Sequence, residues 1–409
     1  MLSHEAARAK VIEVVTARAS APPATETIEF ADDPSRALGR ILAENVIADR
    51  NYPPFDRSTR DGFAVRAADA ANPGTRLRLI GESRAGRAFE GAMEPGSSVQ
   101  IMTGAPLPRG ANAVVMLEDA RLEGDSVIIQ HAVRPGQHYV VEGQETRVGE
   151  SVIQRGKRLG YAELAMAAQV GRCKLEVAKK PRVAILSTGD EIIFAGDSPQ
   201  RFQIRNSNSI SLSAQVSLAG GEPLVVGIAP DNVTELRARI EQALKADIVI
   251  LTGGVSVGKY DLVEQVLKGM RVEFFFDAIA IRPGRPAVFG ACNNTPVFGL
   301  PGNPVSTMVT FELLVVPAIE AMSGHAPGLL HLFKAKLAHP LDEKPPLAHF
   351  LPARVKWPSG EATVEALHWE GSGDIGSVVR GNCFLVVHES KLKLEAGEIV
   401  DILPRRGLF

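Results

Sequence analysis

The sequence predicts a multidomain chain of mixed α+β and α/β class, with a doubly wound α/β domain between β-rich segments. Three observations predict it. Two apolar runs stop at glycine-rich turns that open onto helices: ADIVILTGGVSVGKYDLVEQVL from Ala246 to Leu267, and PVFGLPGNPVSTMVTFELLV from Pro296 to Val315. The few apolar residues before each turn suit a strand buried on both faces of a parallel sheet. From Lys179 to about Ser323 strand and helix patterns alternate, and on either side the text breaks into short β segments cut by Gly and Pro. At 409 residues one core would be unusually large, so about two to four domains are expected.

In chain order, residues 1–50 read as helical. The start, MLSHEAARAKVIEVVTARAS, is amphipathic, and Leu38, Ile41, Leu42 and Val46 are spaced for one apolar face. Residues 51–145 hold the segments LRLIGES, SSVQIMTG, NAVVMLED and DSVIIQHAV, which predict a small β-rich domain. Within 146–178 the run Gly160-YAELAMAAQVG predicts a helix that ends with Gly171 at its C′ position. Residues 179–326 alternate: VAILSTG and a helix near 207–219, PLVVGIAP and NVTELRARIEQALKA, DIVILTGG and DLVEQVLKG, PVFGLPG and VSTMVTFELLVVPAI. After GHAPG, residues 327–409 return to β texture with FLVVHES and EIVDILP, and Pro340, Pro345 and Pro346 argue for edge strands or loops.

Bulk properties narrow the function. A formal net charge of −2 points to no nucleic acid and no anionic membrane. Cys173, Cys292 and Cys383 lie far apart without C-x-x-C spacing, so buried apolar thiols are expected rather than disulfides or a zinc cluster. The first residues lack a signal peptide's apolar core, and no apolar stretch is expected to reach the roughly 18 residues needed to span a bilayer. A cytoplasmic protein is expected.

The glycine turns carry the most readable chemistry. Gly253, Gly254 and Gly258 let the backbone come close to a ligand, and the helices that follow aim free N–H groups at it. Such loops at the carboxyl ends of parallel strands favour a phosphate or another oxyanion. After VAILS comes Thr188-Gly189-Asp190-Glu191, and Asp261 follows the glycine loop containing Ser256. Carboxylates beside a phosphate cradle commonly hold Mg²⁺, although Asp261 also suits a helix N-cap and Asp190 or Glu191 a solvated turn. In IRPGRP, Arg282 and Arg285 flank a rigid Pro-Gly turn and offer planar donors for a tetrahedral oxyanion. In GLPGNPVS, Asn303 and Ser306 fall at a helix start, where capping and ligand binding are compatible. The polar loop with Asp56, Ser58, Asp61 and Gly62, and the turn at Thr103 and Gly104, read from composition as turns.

Together NYPPFDRSTRDGFAV, IMTGAPLPRGANAVV, STGDEI, LTGGVSVGKYD, IRPGRP and GLPGNPVS, in that order, closely resemble the molybdopterin molybdenumtransferases, the family of bacterial MoeA and the E domain of gephyrin. The resemblance covers essentially the whole chain. It implies four domains: a helical linking domain I (1–50 plus 146–178), a small β-rich domain II (51–145), a MogA-like α/β domain III (179–326) and a C-terminal β-barrel domain IV (327–409). It implies a homodimer whose active site is shared between subunits. The implied reaction joins molybdate to adenylylated molybdopterin with Mg²⁺-dependent release of AMP. The adenylyltransferase that makes this substrate, and recipient molybdoenzymes or their chaperones, are the implied partners.

By motif position the resemblance makes Glu191 and Asp261 the metal carboxylates and Gly253, Gly254, Ser256 and Gly258 the phosphate cradle. Arg282, Arg285 and Ser306 become the oxyanion pocket, with Pro301, Asn303 and Pro304 beside it. Asp61 and Thr103 would come from the partner subunit. Thr188, Gly189, Asp190, Asp231, Glu145, Ser372 and Ser377 complete the substrate-facing set. Departures from the family pattern fall near the site. Arginines stand in IRPGRP where lysines are usual, Arg57 and Arg60 enter the first loop, and Val141-EGQET places Glu145 where an aspartate is expected. Two alternatives therefore stay open: a diverged paralogue using another oxyanion such as tungstate, and a non-catalytic pterin- or nucleotide-binding scaffold.

Overall fold

The computed structural model describes residues 1–18, 23–254, 262–343, 347–358, 360–391 and 393–408. Ser256, Gly258 and Asp261 of the expected cradle lie outside the described residues, as do Pro345 and Pro346.

The α/β domain is built on a six-stranded sheet in the order 222–229, 182–188, 248–252, 295–300, 288–292, 273–276. The first four strands are parallel, and a hairpin adds 288–292 antiparallel to 295–300. Ile248–Thr252 is buried at every position, as expected for a strand covered on both faces. One face is covered by the helices Val233–Ala243 and Leu262–Gly269. Ser207–Ala219 and Pro304–Met322 cover the other. Full burial of a Val, Ile or Leu contributes about 1.5–3 kcal/mol, so these central strands hold the framework on which the loops stand.

Pro304–Met322 corrects one expectation. It is 19 residues long with mean hydropathy 1.6, enough by length and composition to cross a membrane, yet 83% of that window is buried inside the protein. It is a core helix sandwiched between the sheet, the N-terminal helix and the C-terminal barrel. Its middle widens into a π turn, Phe311–Val315, where the Val316 N–H reaches back to the Phe311 carbonyl. Pro317 has no N–H, so the Leu313 carbonyl lacks its usual partner. Arg8 donates to that carbonyl at 3.4 Å and to the Gly328 carbonyl at 2.9 Å.

The helical expectation for residues 1–50 is also corrected. Among the described residues the only α-helix there is His4–Arg18, whose buried face of Ala7, Val11, Val14 and Val15 packs onto the α/β domain, and Pro34–Arg36 adds one 3-10 turn. Thr25–Glu29 pairs with Lys174–Ala178, while Ile41 and Leu42 form bridges to Arg158 and Val177. Tertiary pairing overrides a helix-like spacing here, because distant partners satisfy this backbone. The helix Tyr161–Gln169 forms as expected, followed by Gly171 at φ +73°.

Residues 51–145 hold a six-stranded sheet in the order 113–116, 62–65, 97–101, 76–83, 126–129, 120–123. Near the C-terminus, strands 348–356, 363–366, 333–337, 399–404 and 383–387 close into a five-stranded barrel, because 383–387 pairs back with 348–356. Of the cysteines only Cys383 is buried, and burial pushes its thiol up to about 12; Cys173 and Cys292 are half-buried.

Glu312, in the π turn, is a buried carboxyl. Desolvation raises its pKa above the ordinary value, with Arg406 and Gln215 partly opposing. Folding therefore favours its protonated form. The stability this group contributes is present at low pH and is lost as pH rises through its folded value. Glu312→Gln removes this titration, so the wild-type Tm is expected to fall relative to the variant's as pH is raised from about 4.5 to about 8. Thermal melts of both proteins across that range check it.

Candidate functional site

The sheet order makes the site. Within this sheet, the strand that follows 182–188 in sequence, 222–229, lies on one side of it, and the next, 248–252, lies on the other. Loops leaving 182–188 and 248–252 therefore diverge, and a crevice opens at their carboxyl ends, where ligands bind in such sheets. A cavity of about 570 Å³ occupies it. Its walls bring together Thr188 and Glu191 from the first loop, Gly253 and Gly254 from the second, and Pro301, Asn303 and Pro304 from the third.

The second loop can only be glycine. Gly253 and Gly254 have φ +90° and +60°, and a Cβ on Gly253 would lie 2.5 Å from the Thr188 carbonyl oxygen. The close approach leaves backbone as the crevice floor. The Thr188 hydroxyl is buried without a hydrogen-bond partner among the described residues, and Glu191 is exposed at the rim. Gly189 stands behind that carboxylate, and a Cβ there would meet Glu191 Oε2 at 2.5 Å.

A second cavity of about 340 Å³ adjoins the first and shares Pro286, Pro301 and Asn303 with it. Arg282 and Arg285 line it, both exposed, and among the described residues neither forms an ion pair. Ser306 lies buried at its base. The opposite wall comes from the C-terminal domain, with Trp369, Gly371 and Ser372. Asn303 occupies the N-cap position of the helix but makes no side-chain cap bond; its Nδ2 donates instead to Ser372 Oγ at 2.8 Å. The Val305 N–H donates to the Ser372 carbonyl at 2.9 Å.

Other expected residues fall elsewhere. Ser377 is fully buried and donates to the Asp374 carbonyl at 2.7 Å, and it lines neither cavity. Asp190 accepts the Asp231 N–H at 3.0 Å, which ties two neighbouring strand ends together outside the crevice. Asp61 and Thr103 meet each other, the Asp61 carboxylate accepting the Thr103 N–H at 2.6 Å. Nearby, Glu145 pairs with Arg57 at 2.7 Å. These three stand in the small β domain, and no residue of 51–145 lines either cavity.

Asn206, Asn208, Thr252 and Trp369 are among the site residues that were not anticipated. Asn206 caps the helix Ser207–Ala219 and bonds Ser187, while Asn208 donates to Thr252 Oγ1 at 3.0 Å and the Gly302 carbonyl at 2.8 Å. The run Asn206-Ser207-Asn208-Ser209 at a helix start was a signal that could have found the first two. Thr252 and Trp369, the other two, sit in ordinary β text and offer none.

A glycine-floored crevice at a topological switch point, adjoining a pocket lined by two arginines that form no ion pair among the described residues, defines an α/β protein whose site has the chemistry to suit anionic ligands. Family models match along the chain: the MoeA N-terminal region (domains I and II) over residues 2–171, a probable molybdopterin binding domain over 184–321, and the MoeA C-terminal region (domain IV) over 334–404. A molybdopterin molybdenumtransferase of Haemophilus influenzae is 33% identical over 420 residues, spanning 100% of both chains. One from Staphylococcus aureus is 31% identical, spanning 95% of this chain and 93% of its own. The crystal structure of a molybdopterin biosynthesis MoeA protein from Pyrococcus horikoshii superposes with a TM-score of 0.75 at 33% identity, covering 97% of this chain and 98% of its own. The chain belongs to the molybdopterin molybdenumtransferase (MoeA) family, transferases of molybdenum cofactor biosynthesis.

Proposed function

We propose that this protein inserts molybdenum by joining molybdate to adenylylated molybdopterin, with release of AMP. The adjoining pair of cavities carries this reading. Backbone N–H groups around Gly253 and Gly254 suit the diphosphate of the adenylylated pterin, and Arg282 and Arg285 suit the tetrahedral dianion next to it. The work asked of the protein is positioning and charge neutralisation rather than nucleophilic attack by a side chain.

Mg²⁺ fits the donors present. Among the described residues no group of three or more His, Cys, Asp or Glu gathers. Magnesium needs only one or two carboxylates besides phosphate oxygens and water. Glu191 and the unpartnered Thr188 hydroxyl offer hard oxygen donors at the crevice, and Asp261 is the further candidate ligand. When bound, the ion would neutralise charge on the diphosphate. The direct test is an insertion assay with adenylylated molybdopterin, Mg²⁺ and molybdate. Molybdate-dependent AMP release is expected, and its absence with either molybdate or tungstate would sink the enzymatic reading.

Asp61, Thr103 and Glu145 point to a homodimer in which the small β domain of one subunit completes the crevice of the other. Mixing subunits tests this. Asp61→Asn and Glu191→Gln proteins are each expected to be nearly inactive, while dimers re-formed from equal amounts of both should recover about a quarter of wild-type activity, since half are mixed and each mixed dimer has one intact site. No recovery, with mixed dimers shown to form, would place both residues in the same subunit's site.

A further inference from the structure

The oxyanion pocket has two walls from different parts of the molecule. Arg282, Arg285, Asn303 and Ser306 belong to the α/β domain, whereas Trp369, Gly371 and Ser372 belong to a loop between barrel strands. The barrel rests on Pro304–Met322 through apolar residues, with Phe384, Val386 and Leu403 in one core with Val309 and Leu313. Apolar contact is non-directional. At the pocket itself the directional ties are the Asn303–Ser372 and Val305–Ser372 hydrogen bonds and the pairing of Ile281–Arg282 with Ala348–His349; farther along the helix the apolar contact leaves rotation unfixed.

A charged cluster about two helical turns beyond the pocket is directional. Glu312 Oε2 accepts from Arg406 Nε at 3.3 Å, and Oε1 accepts from Gln215 Nε2 at 3.3 Å. Gln215 Nε2 also reaches the Met308 carbonyl at 3.1 Å. Arg8, Glu320, His331 and Arg406 border a 120 Å³ cavity with Glu312. Arg405, next to Arg406, donates to the carbonyls of Val378 at 2.7 Å and Gly381 at 2.9 Å. Those carbonyls end the helix Ile375–Arg380, which follows the Ser372 loop. A short chain of contacts thus runs from Glu312 through the C-terminal strand to the barrel wall of the pocket.

We propose that the Glu312–Arg406 pair is a second, more distant positioning tie, which with the contacts at the pocket itself sets the barrel wall against the arginine wall of the oxyanion pocket. The proposal rests on the oxyanion reading of that pocket. With the Arg406 side chain 31% exposed and Glu312 inside, this hydrogen-bonded pair is a poor source of net stability compared with apolar residues of similar volume. What it supplies and they do not is orientation. The π turn forced beside Pro317 is where Glu312 sits, and such turns recur at functional sites.

The chain has two tryptophans, so Trp357→Phe leaves Trp369 as a fluorescent reporter in the pocket itself. Titration with sodium molybdate then reads binding without turnover. In this background Glu312→Leu/Arg406→Met is expected to keep a Tm within a few degrees of the parent, because the apolar pair repacks. It is nevertheless expected to bind molybdate about tenfold more weakly, with the loss in the molybdate KM and little change in kcat. Wild-type affinity at preserved Tm would make the pair merely structural and overturn the proposal. Should the double variant not fold, Arg406→Lys keeps the charge but loses the Nε donor, and about a threefold weaker affinity is expected; wild-type affinity there would overturn it equally. If the parent protein gives no molybdate response and no insertion activity, the oxyanion reading itself falls, and this proposal with it.

Discussion

Replacing Arg282 and Arg285 together by alanine is expected to lower molybdate-dependent AMP release by about a thousandfold or more, with Tm nearly unchanged. A charge-assisted hydrogen bond contributes about 1.5–3 kcal/mol, and two guanidiniums facing one dianion offer at least two such bonds. The fold should not notice, since both side chains are exposed and neither forms an ion pair among the described residues. The turn between them is held by Pro283 and Gly284, where a Cβ on Gly284 would sit 2.6 Å from Thr310 Cγ2. Replacing both arginines by lysine keeps the charge, and about a tenfold loss or less is expected. Steady-state kinetics in molybdate, alongside thermal melts, separate these outcomes. An alanine pair that retained full turnover would move the oxyanion elsewhere.

Gly253→Ala is the second large effect. The new methyl would meet a backbone atom, the Thr188 carbonyl oxygen, at 2.5 Å, and alanine is strained at φ +90°. The strands carrying Thr188 and Gly253 are neighbours in the middle of the sheet, paired from Val183–Ile248 to Ser187–Thr252. They cannot part without opening the core, so the loop must move instead. About 1–3 kcal/mol of strain and at least a hundredfold loss of AMP affinity are expected, read by calorimetry and melting. Gly302→Ala is the control: its Cβ would lie 3.5 Å from Gly253 Cα, an ordinary contact, and near-normal stability is expected. Equal damage from both would show that crowding at Thr188 is not the cause.

Much of this site is readable in the sequence because its signals are local. An apolar run, a glycine turn and a helix start announce the loops at Thr188, Gly253 and Pro301 without reference to any other residue. Asn206 and Asn208 are harder, since a helix cap and a ligand-facing amide are written with the same residue. Trp369 carries no periodic signal at all; it reaches the oxyanion pocket only because the barrel folds back on Pro304–Met322. The spacing of Leu38, Ile41, Leu42 and Val46 imitates a helix, yet the last three pair with segments more than 100 positions away. The Pro304–Met322 helix shows the same limit in reverse, for its composition suits lipid as well as protein and its surroundings alone show which covers it.

By itself the sequence determined the family, the central α/β domain, and the glycine and arginine loops that line the two cavities. Only the tertiary structure decided that 182–188 sits between 222–229 and 248–252, which opens the crevice. It also decided that the barrel supplies the second wall of the pocket lined by Arg282 and Arg285, and that Asp61, Thr103 and Glu145 stand apart from both cavities. The physical reason is that hydrophobic patterning encodes burial and turn chemistry encodes local backbone shape, but neither names the partner. Which surfaces meet is settled by packing and by directional contacts such as Glu312 with Arg406, and those exist only once the chain has folded.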